Sequence, residues 1–416
     1  MLTKNKKVIE NIFSLLVLQG SNYLLPLITL PYLISILGVK NYGSVVFVTT
    51  LMQFFIMFID YGYNVIGTRK ISLLKNDFNY VKKTFNRIIT VKALLTFLSF
   101  IILIILVIIV PKLSADRNLY FVGFLSVIGS CIFPIWYFQG IEKMKYITVI
   151  NIVSKVISTI LIFVFVTNSE DSLSVIFFQS LNYLLPGIIS IMFITIRHKI
   201  IFKLEFNLKD IKFDLIEGSQ IFMTNLWINM YALGSVLITG FLAGDKIAGY
   251  YSIGQKLISA ISGLIQPIGQ ALYPYLCTLF KSDFPKFGKV KTKLLIFFIS
   301  ISSVLSLFLF VFSDFFIDVV SNSNNATISH TIKISAFTMF FIIVNTQITN
   351  LVYVTGEYHN MQKMYFYNAL IFICLAIPST YIFGIYGMLW TVLLIELLVF
   401  VGSLKIMKKN IELVLA

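Results

Sequence analysis

Of the ionisable residues inside segments otherwise fit to cross a bilayer, Asp60, Lys155, Lys256 and Glu396 stand out. Such groups are costly in hydrocarbon and mark ion paths, substrate contacts or buried pairs. Polar stripes at helical spacing run beside them. Thr49, Gln53, Asp60 and Asn64 form one stripe. Ser252, Gln255, Ser259, Ser262, Gln266 and Gly269 form a fuller one, flanked by Lys256. Residues three and four apart share a helix face. An unsatisfied polar group in hydrocarbon costs several kcal/mol, so a six-residue stripe of five polar side chains and a glycine on one face points to a hydrated cavity. The competing reading is that the stripes glue neighbouring helices together.

The chemistry on offer is binding. Lys256 and Lys155 suit an anionic substrate, or their amines snorkel to an interface. Asn151, Ser158 and Thr159 share the face of Lys155. Arg69, Gln53, Gln255, Gln266 and Asn225 complete the candidate substrate contacts. Asp60 is the ion-coupling candidate; it either carries a coupling proton, pairs with Arg69, or closes its helix end. Glu396 is remote from the stripes and has no assigned role. No catalytic or metal-binding constellation is expected. His198, His330 and His359 are scattered near helix ends, and Cys131, Cys277 and Cys374 have no short spacing. Gly62–Arg69 lacks the lysine of a phosphate-binding loop, so no nucleotide cofactor is expected.

The elements that must carry these residues follow from hydropathy. Hydrophobic residues make up 58% of 416, charged residues 12%, and the mean hydropathy is +0.90. Soluble domains carry about 25% charged residues, so the chain reads as an all-α polytopic membrane protein. Twelve segments are long enough to span: 11–37, 42–66, 85–110, 118–140, 148–167, 173–196, 216–242, 247–275, 293–313, 331–354, 364–384 and 386–406. They are helices, because barrel strands would run near ten residues. The apolar segment after Lys4, Lys6 and Lys7 continues to Leu37, too long for a signal-peptide core, so it is read as a retained first span.

The +15 net charge first suggests nucleic acid, but its distribution fits a membrane protein instead. One side collects 25 of the 33 Lys and Arg, in the N-terminus, loops 67–84, 141–147, 197–215 and 276–292, and the C-terminus. The other side holds five. The asymmetry places both termini in the cytoplasm. Loop 67–84 alternates basic and apolar residues and is expected to lie along the anionic inner leaflet. No loop is long enough for a catalytic domain.

An internal repeat organises the spans. A shift of 206 residues sets the polar hairpin Gly38–Gly43 on Gly244–Gly249, Gln19 on Asn225, and the stripe of span 2 on Gln255, Ser259, Gln266 and Gln270. Two six-helix lobes, 1–200 and 201–416, insert with the same orientation, as a parallel repeat around a central cavity. Transporters so built place substrate at the repeat interface. Gly20, Pro26 and Pro31 in span 1, and Gly263, Pro267, Gly269 and Pro274 in span 8, either gate access or fix static kinks.

Gly38-x-x-x-x-Gly43, Asp60-Tyr61-Gly62-Tyr63-Asn64, Thr68-Arg69-Lys70-Ile71-Ser72 and Trp136-Tyr137-Phe138-Gln139-Gly140-Ile141-Glu142-Lys143-Met144 resemble the Wzx-type polysaccharide flippases. These belong to the multidrug/oligosaccharidyl-lipid/polysaccharide transporter superfamily. The motifs sit in the first 150 residues; the later half matches by pattern. The resemblance implies a bacterial cytoplasmic-membrane transporter, not an enzyme. It would move an undecaprenyl-diphosphate-linked oligosaccharide between leaflets by ion-gradient-coupled alternating access, through a cavity lined by helices 1, 2, 7 and 8. The bilayer is its surroundings, and a polysaccharide polymerase and chain-length machinery are further candidate partners. Two readings compete: a cation-coupled multidrug exporter of the same superfamily, and a membrane glycan polymerase or glycosyltransferase. The cationic Lys256 on the deepest stripe favours an anionic substrate over cationic drugs.

Overall fold

The computed structural model describes the backbone of residues 2–74, 76–205, 207–321 and 326–415. It describes side chains over 17–318 and 326–408, apart from 75, 206, 208, 267, 270, 271, 274 and 281. The side chains of Lys4, Lys6, Lys7, Pro267, Gln270 and Pro274 therefore lie outside the described residues.

Every regular element among the described residues is a helix, as hydrocarbon demands of backbone that must satisfy its own polar groups. In chain order they are α1 (Leu2–Asp60), α2 (Tyr63–Leu73), α3 (Phe78–Ile109), α4 (Pro111–Ala115), α5 (Arg117–Ile132), α6 (Ile135–Gly140), α7 (Met144–Phe165) and α8 (Ser172–His198). Then follow α9 (Leu208–Ala232), α10 (Gly234–Leu242), α11 (Asp245–Ser282), α12 (Phe284–Val311), α13 (Ser313–Ser321), α14 (Ala326–Val354), α15 (Tyr358–Phe383) and α16 (Ile385–Leu415). Among the described residues nine helices are long and apolar enough to cross a membrane, or ten when α9 and α10, bent by 42° at their break, count as one. Two further spans of the expected twelve have a physical explanation. Helix α1 holds two, on either side of a break at Gly38. Helix α11 carries the fuller polar stripe, which lowers its hydropathy below that of its neighbours.

Two expected loops are corrected. Gly38–Gly43 is no open hairpin: Gly38 alone leaves the helical region, at φ 71° and ψ 162°, and helix resumes at once. The loop expected at 276–292 is mostly helix. Helix α11 runs to Ser282 and α12 begins at Phe284. Asp283 makes the turn, its carboxylate accepting from Lys286 N at 2.9 Å, with Pro285 in the first helical turn, where its missing N–H costs nothing.

The chain divides into two compact units. The first comprises Ser44–Leu226 with the residues up to Ser21; the second comprises Asn22–Gly43 with Trp227–Ala416. In the first, α8 packs on α5 and α7, and α2 packs on α6. Tyr63, Phe85, Trp136, Tyr137 and Phe138 form its aromatic core at one end. In the second, α14 packs on α11, α12 and α16, with α15 against α16.

The repeat is written in the backbone of the second unit. Gly244 has φ 87° and ψ 170°, the same region as Gly38 206 residues earlier. Gly43 and Gly249 are both helical and lie where the two motifs meet. A Cβ on Gly43 would overlap the Asp245 carbonyl, and a Cβ on Gly249 would overlap the Val39 carbonyl. One glycine of each motif supplies left-handed backbone, and the other supplies close approach.

Candidate functional site

The stripe of α11 lines a cavity within the second unit. Ser259, Ser262 and Gln266 form one wall, Thr346 and Gln347 of α14 the facing wall, and Tyr23 of α1 closes it, around about 200 Å³. Two glycines of α11 make the approach possible. A Cβ on Gly263 would collide with the Tyr23 ring, and one on Gly269 with the Gln347 amide. These positions, read from sequence as helix breakers, act here as contact points.

The described lining is uncharged, with hydroxyls and amides beside the apolar Ile265, Ile342 and Ile343. Ser262 Oγ donates to the Ile258 carbonyl at 2.6 Å, and Thr346 Oγ1 to the Ile342 carbonyl at 2.8 Å. Their hydrogens are spent on the helix, so they offer lone pairs. Gln266 and Gln347 supply amide donors as well as acceptors. This surface suits hydroxyl-rich groups. Its volume is below that of drug-sized pockets, ~300–1,000 Å³, so it fits one small polar group at a time.

Other expected site residues lie elsewhere. Gln255, one turn before Ser259, donates to Tyr251 Oη at 2.6 Å. Lys256 is half-buried, its ammonium 5.0 Å from the centre of the Tyr42 ring. This is cation–π geometry, and it ties α11 to the turn after Gly38. Gln53 and Asn225 are exposed, and Lys155 is half-buried on α7.

Asp60 does not pair with Arg69. Its partner is Lys92 of α3, 3.9 Å away, and the Asn64 side chain also reaches its carboxyl. Lys92 is buried and donates to the Ser130 carbonyl at 3.0 Å. Arg69 is largely exposed, 3.6 Å from Glu217 of α9. It borders a network whose centre is the buried Asp214, flanked by Lys70 and by Arg87 at 2.9 Å. Lys70 also meets Glu217 at 2.9 Å, and Arg87 meets Asp210 at 3.0 Å. Glu396 is buried in the second unit, where Asn345 Nδ2 donates to its carboxylate at 2.7 Å and to its carbonyl at 2.9 Å.

Sequence reasoning missed Tyr23, Thr346, Gln347 and Lys92. The run Asn345-Thr346-Gln347-Ile348-Thr349-Asn350 was the available signal for α14. For Lys92 it was a cation in an apolar span, the reason the other four ionisable residues were singled out.

A long helical chain in two units with a polar stripe in its second half defines a class of multi-span membrane protein. In fold it is similar to a solved inward-facing multidrug resistance MATE family transporter of the MOP superfamily. The TM-score is 0.66 at 12% identity, over 93% of this chain and 98% of that one. Residues 8–280 match the model of the polysaccharide biosynthesis protein family, and the chain belongs to that family. It is 33% identical over 274 residues to a protein of Escherichia coli (strain K12) named "Putative O-antigen transporter", 66% of each chain. A Shigella dysenteriae protein of the same name is 27% identical over 402 residues, 96% of this chain and all of the relative.

Proposed function

We propose that the protein is a flippase for surface polysaccharide biosynthesis. It carries an undecaprenyl-diphosphate-linked oligosaccharide from the cytoplasmic to the outer leaflet, by alternating access coupled to an ion gradient, with both termini cytoplasmic. The uncharged, hydroxyl- and amide-lined cavity of Tyr23, Ser259, Ser262, Gln266, Thr346 and Gln347 carries this reading. Sugars need donors and acceptors in the membrane, and a lipid tail can stay in the bilayer while its head group crosses. Family membership and the names of the two relatives support the same substrate class. In this reading Gln53, Gln255, Gln266 and Asn225 meet sugar, and Lys256, Lys155 and Arg69 attract the diphosphate. Asp60, held between Lys92 and Asn64, is the ion-coupling group. The cationic-drug exporter is disfavoured because no carboxylate is among the described residues lining the cavity.

Deletion of the gene in its host, followed by analysis of surface glycan and lipid-linked intermediate, tests the proposal. Loss of surface glycan with accumulation of the intermediate on the cytoplasmic side is expected. Unchanged glycan, together with drug resistance on overexpression, would replace the reading with the exporter.

A further inference from the structure

A second pocket, of about 300 Å³, opens among helix ends of the first unit. One side is polar: Lys143 before α7, His198 at the end of α8, and Asn76 before α3. The other is apolar, with Phe78 and Ile141 at its edge, and Phe78 is half exposed. No carboxylate is among the described lining residues; Asp77 beside Asn76 caps α3, accepting from Tyr80 N at 3.0 Å, and Glu142 shares the turn of Lys143.

The polar side is held in place. Tyr137 Oη lies 2.7 Å from His198 Nδ1, which leaves Nε2 as the ring nitrogen that can serve a ligand. When the phenol donates, Nε2 carries the hydrogen. The charges of Lys143 and Arg197 both act on the His198 ring, so the site is electropositive. The ammonium of Lys143 stands 5.9 Å above the Tyr146 ring.

The backbone points to the same place. Among the described residues three that are not glycine have positive φ: Tyr61, Glu142 at 58° and Lys199 at 52°. The last two adjoin Lys143 and His198. Conformations of this kind are disfavoured for residues with a Cβ; that of Lys199 ends α8, and both fix the turns that carry Lys143 and His198. The pocket also sits at the ends of α3, α6, α7 and α8, on the face that collects the basic loops 67–84, 141–147 and 197–215. Helix ends of membrane spans lie at head-group level, where basic clusters attract anionic lipids.

We propose that this pocket binds the phosphate of an anionic phospholipid, with Lys143, His198 Nε2 and Asn76 donating to its oxygens and Phe78 and Ile141 lying along its glycerol and first acyl carbons.

The test is native mass spectrometry of the full-length protein in detergent, titrated with phosphatidylglycerol, phosphatidylcholine or inorganic phosphate. Phosphatidylglycerol should be retained in preference to phosphatidylcholine. Lys143→Gln with His198→Gln should weaken its retention about tenfold, as loss of a charge-assisted contact implies. Lys143→Arg should keep it, and an unchanged melting temperature of the double variant shows that the fold is intact. Equal retention by the double variant and the natural protein would overturn the proposal, as would equal retention of the zwitterionic lipid. Inorganic phosphate binding as tightly as the lipid would overturn the assignment to a lipid.

Discussion

Lys92 is buried, with the Ser130 carbonyl at 3.0 Å and the Asp60 carboxylate at 3.9 Å. Removing one partner of a buried pair costs ~3–5 kcal/mol, because the other charge stays behind unpaired. Asp60 is partly exposed and its contact is long, so Asp60→Asn should cost about 2 kcal/mol, short of that range. Lys92→Met added to Asp60→Asn should recover most of the loss. Thermal unfolding of the two single variants and the double in one detergent checks this, and additive losses would show that the residues do not interact. Lys256 stacks on Tyr42, a contact worth ~0.5–2 kcal/mol. Lys256→Ala should lower surface glycan at normal expression. Lys256→Arg keeps both the charge and the ring contact and should retain the glycan.

At the level of elements, the paired turns and the ion network make separate demands. Gly43→Val and Gly249→Val each push a side chain into the carbonyl of the opposing turn, Asp245 or Val39. Neither carbonyl can move without shifting a helix end, so both variants should lose membrane yield, as counted by in-gel fluorescence of a tagged chain. Gly20→Ala, with open space at its Cβ, is the matched control and should be neutral. In the first unit Asp214 joins α9 to α2 and α3 through Lys70 and Arg87. It is buried and both cations are nearly so. Asp214→Ala should therefore destabilise by ~3–5 kcal/mol, read as a fall in melting temperature. Glu217→Ala leaves Asp214 in place and should cost less.

The whole molecule divides at an unexpected place. Asn22–Gly43 joins the second unit, although it precedes almost all of the first in sequence. Tyr23 packs on Gly263, and Gly43 meets Asp245, so the second unit is incomplete without the first helix. A fragment of residues 201–416 expressed alone should accumulate poorly in membranes. Adding residues 17–43 at its N-terminus should raise its yield, whereas a scrambled segment of equal hydropathy should not. Equal yield of all three would show that the first helix is dispensable to this unit.

Much of this was legible in the sequence, for a physical reason. Hydropathy and helical periodicity are local, so the helical class, the spans and the stripe of α11 followed from neighbouring residues. The repeat was legible because Gly38 and Gly244 meet the same backbone demand, and only glycine does so without strain. The resemblance that placed the chain among polysaccharide transporters rested on short motifs, one of which, Trp136-Tyr137-Phe138, proves to be buried core. Partners were not legible. Asn345 and Glu396 are 51 residues apart, and Lys70 and Asp214 are 144 apart. The sequence marks each as polar in an apolar setting, but nothing local says which will meet. Asp60 shows the difference: the nearby Arg69 was the natural partner on paper, yet helix packing set Lys92 beside it and sent Arg69 to Glu217. Composition and periodicity alone thus determined a membrane-spanning helical protein with a polar face. Tertiary packing decided that Tyr23, Thr346 and Gln347 close that face into a cavity, because side chains from distant helices can share one space only after the helices have docked.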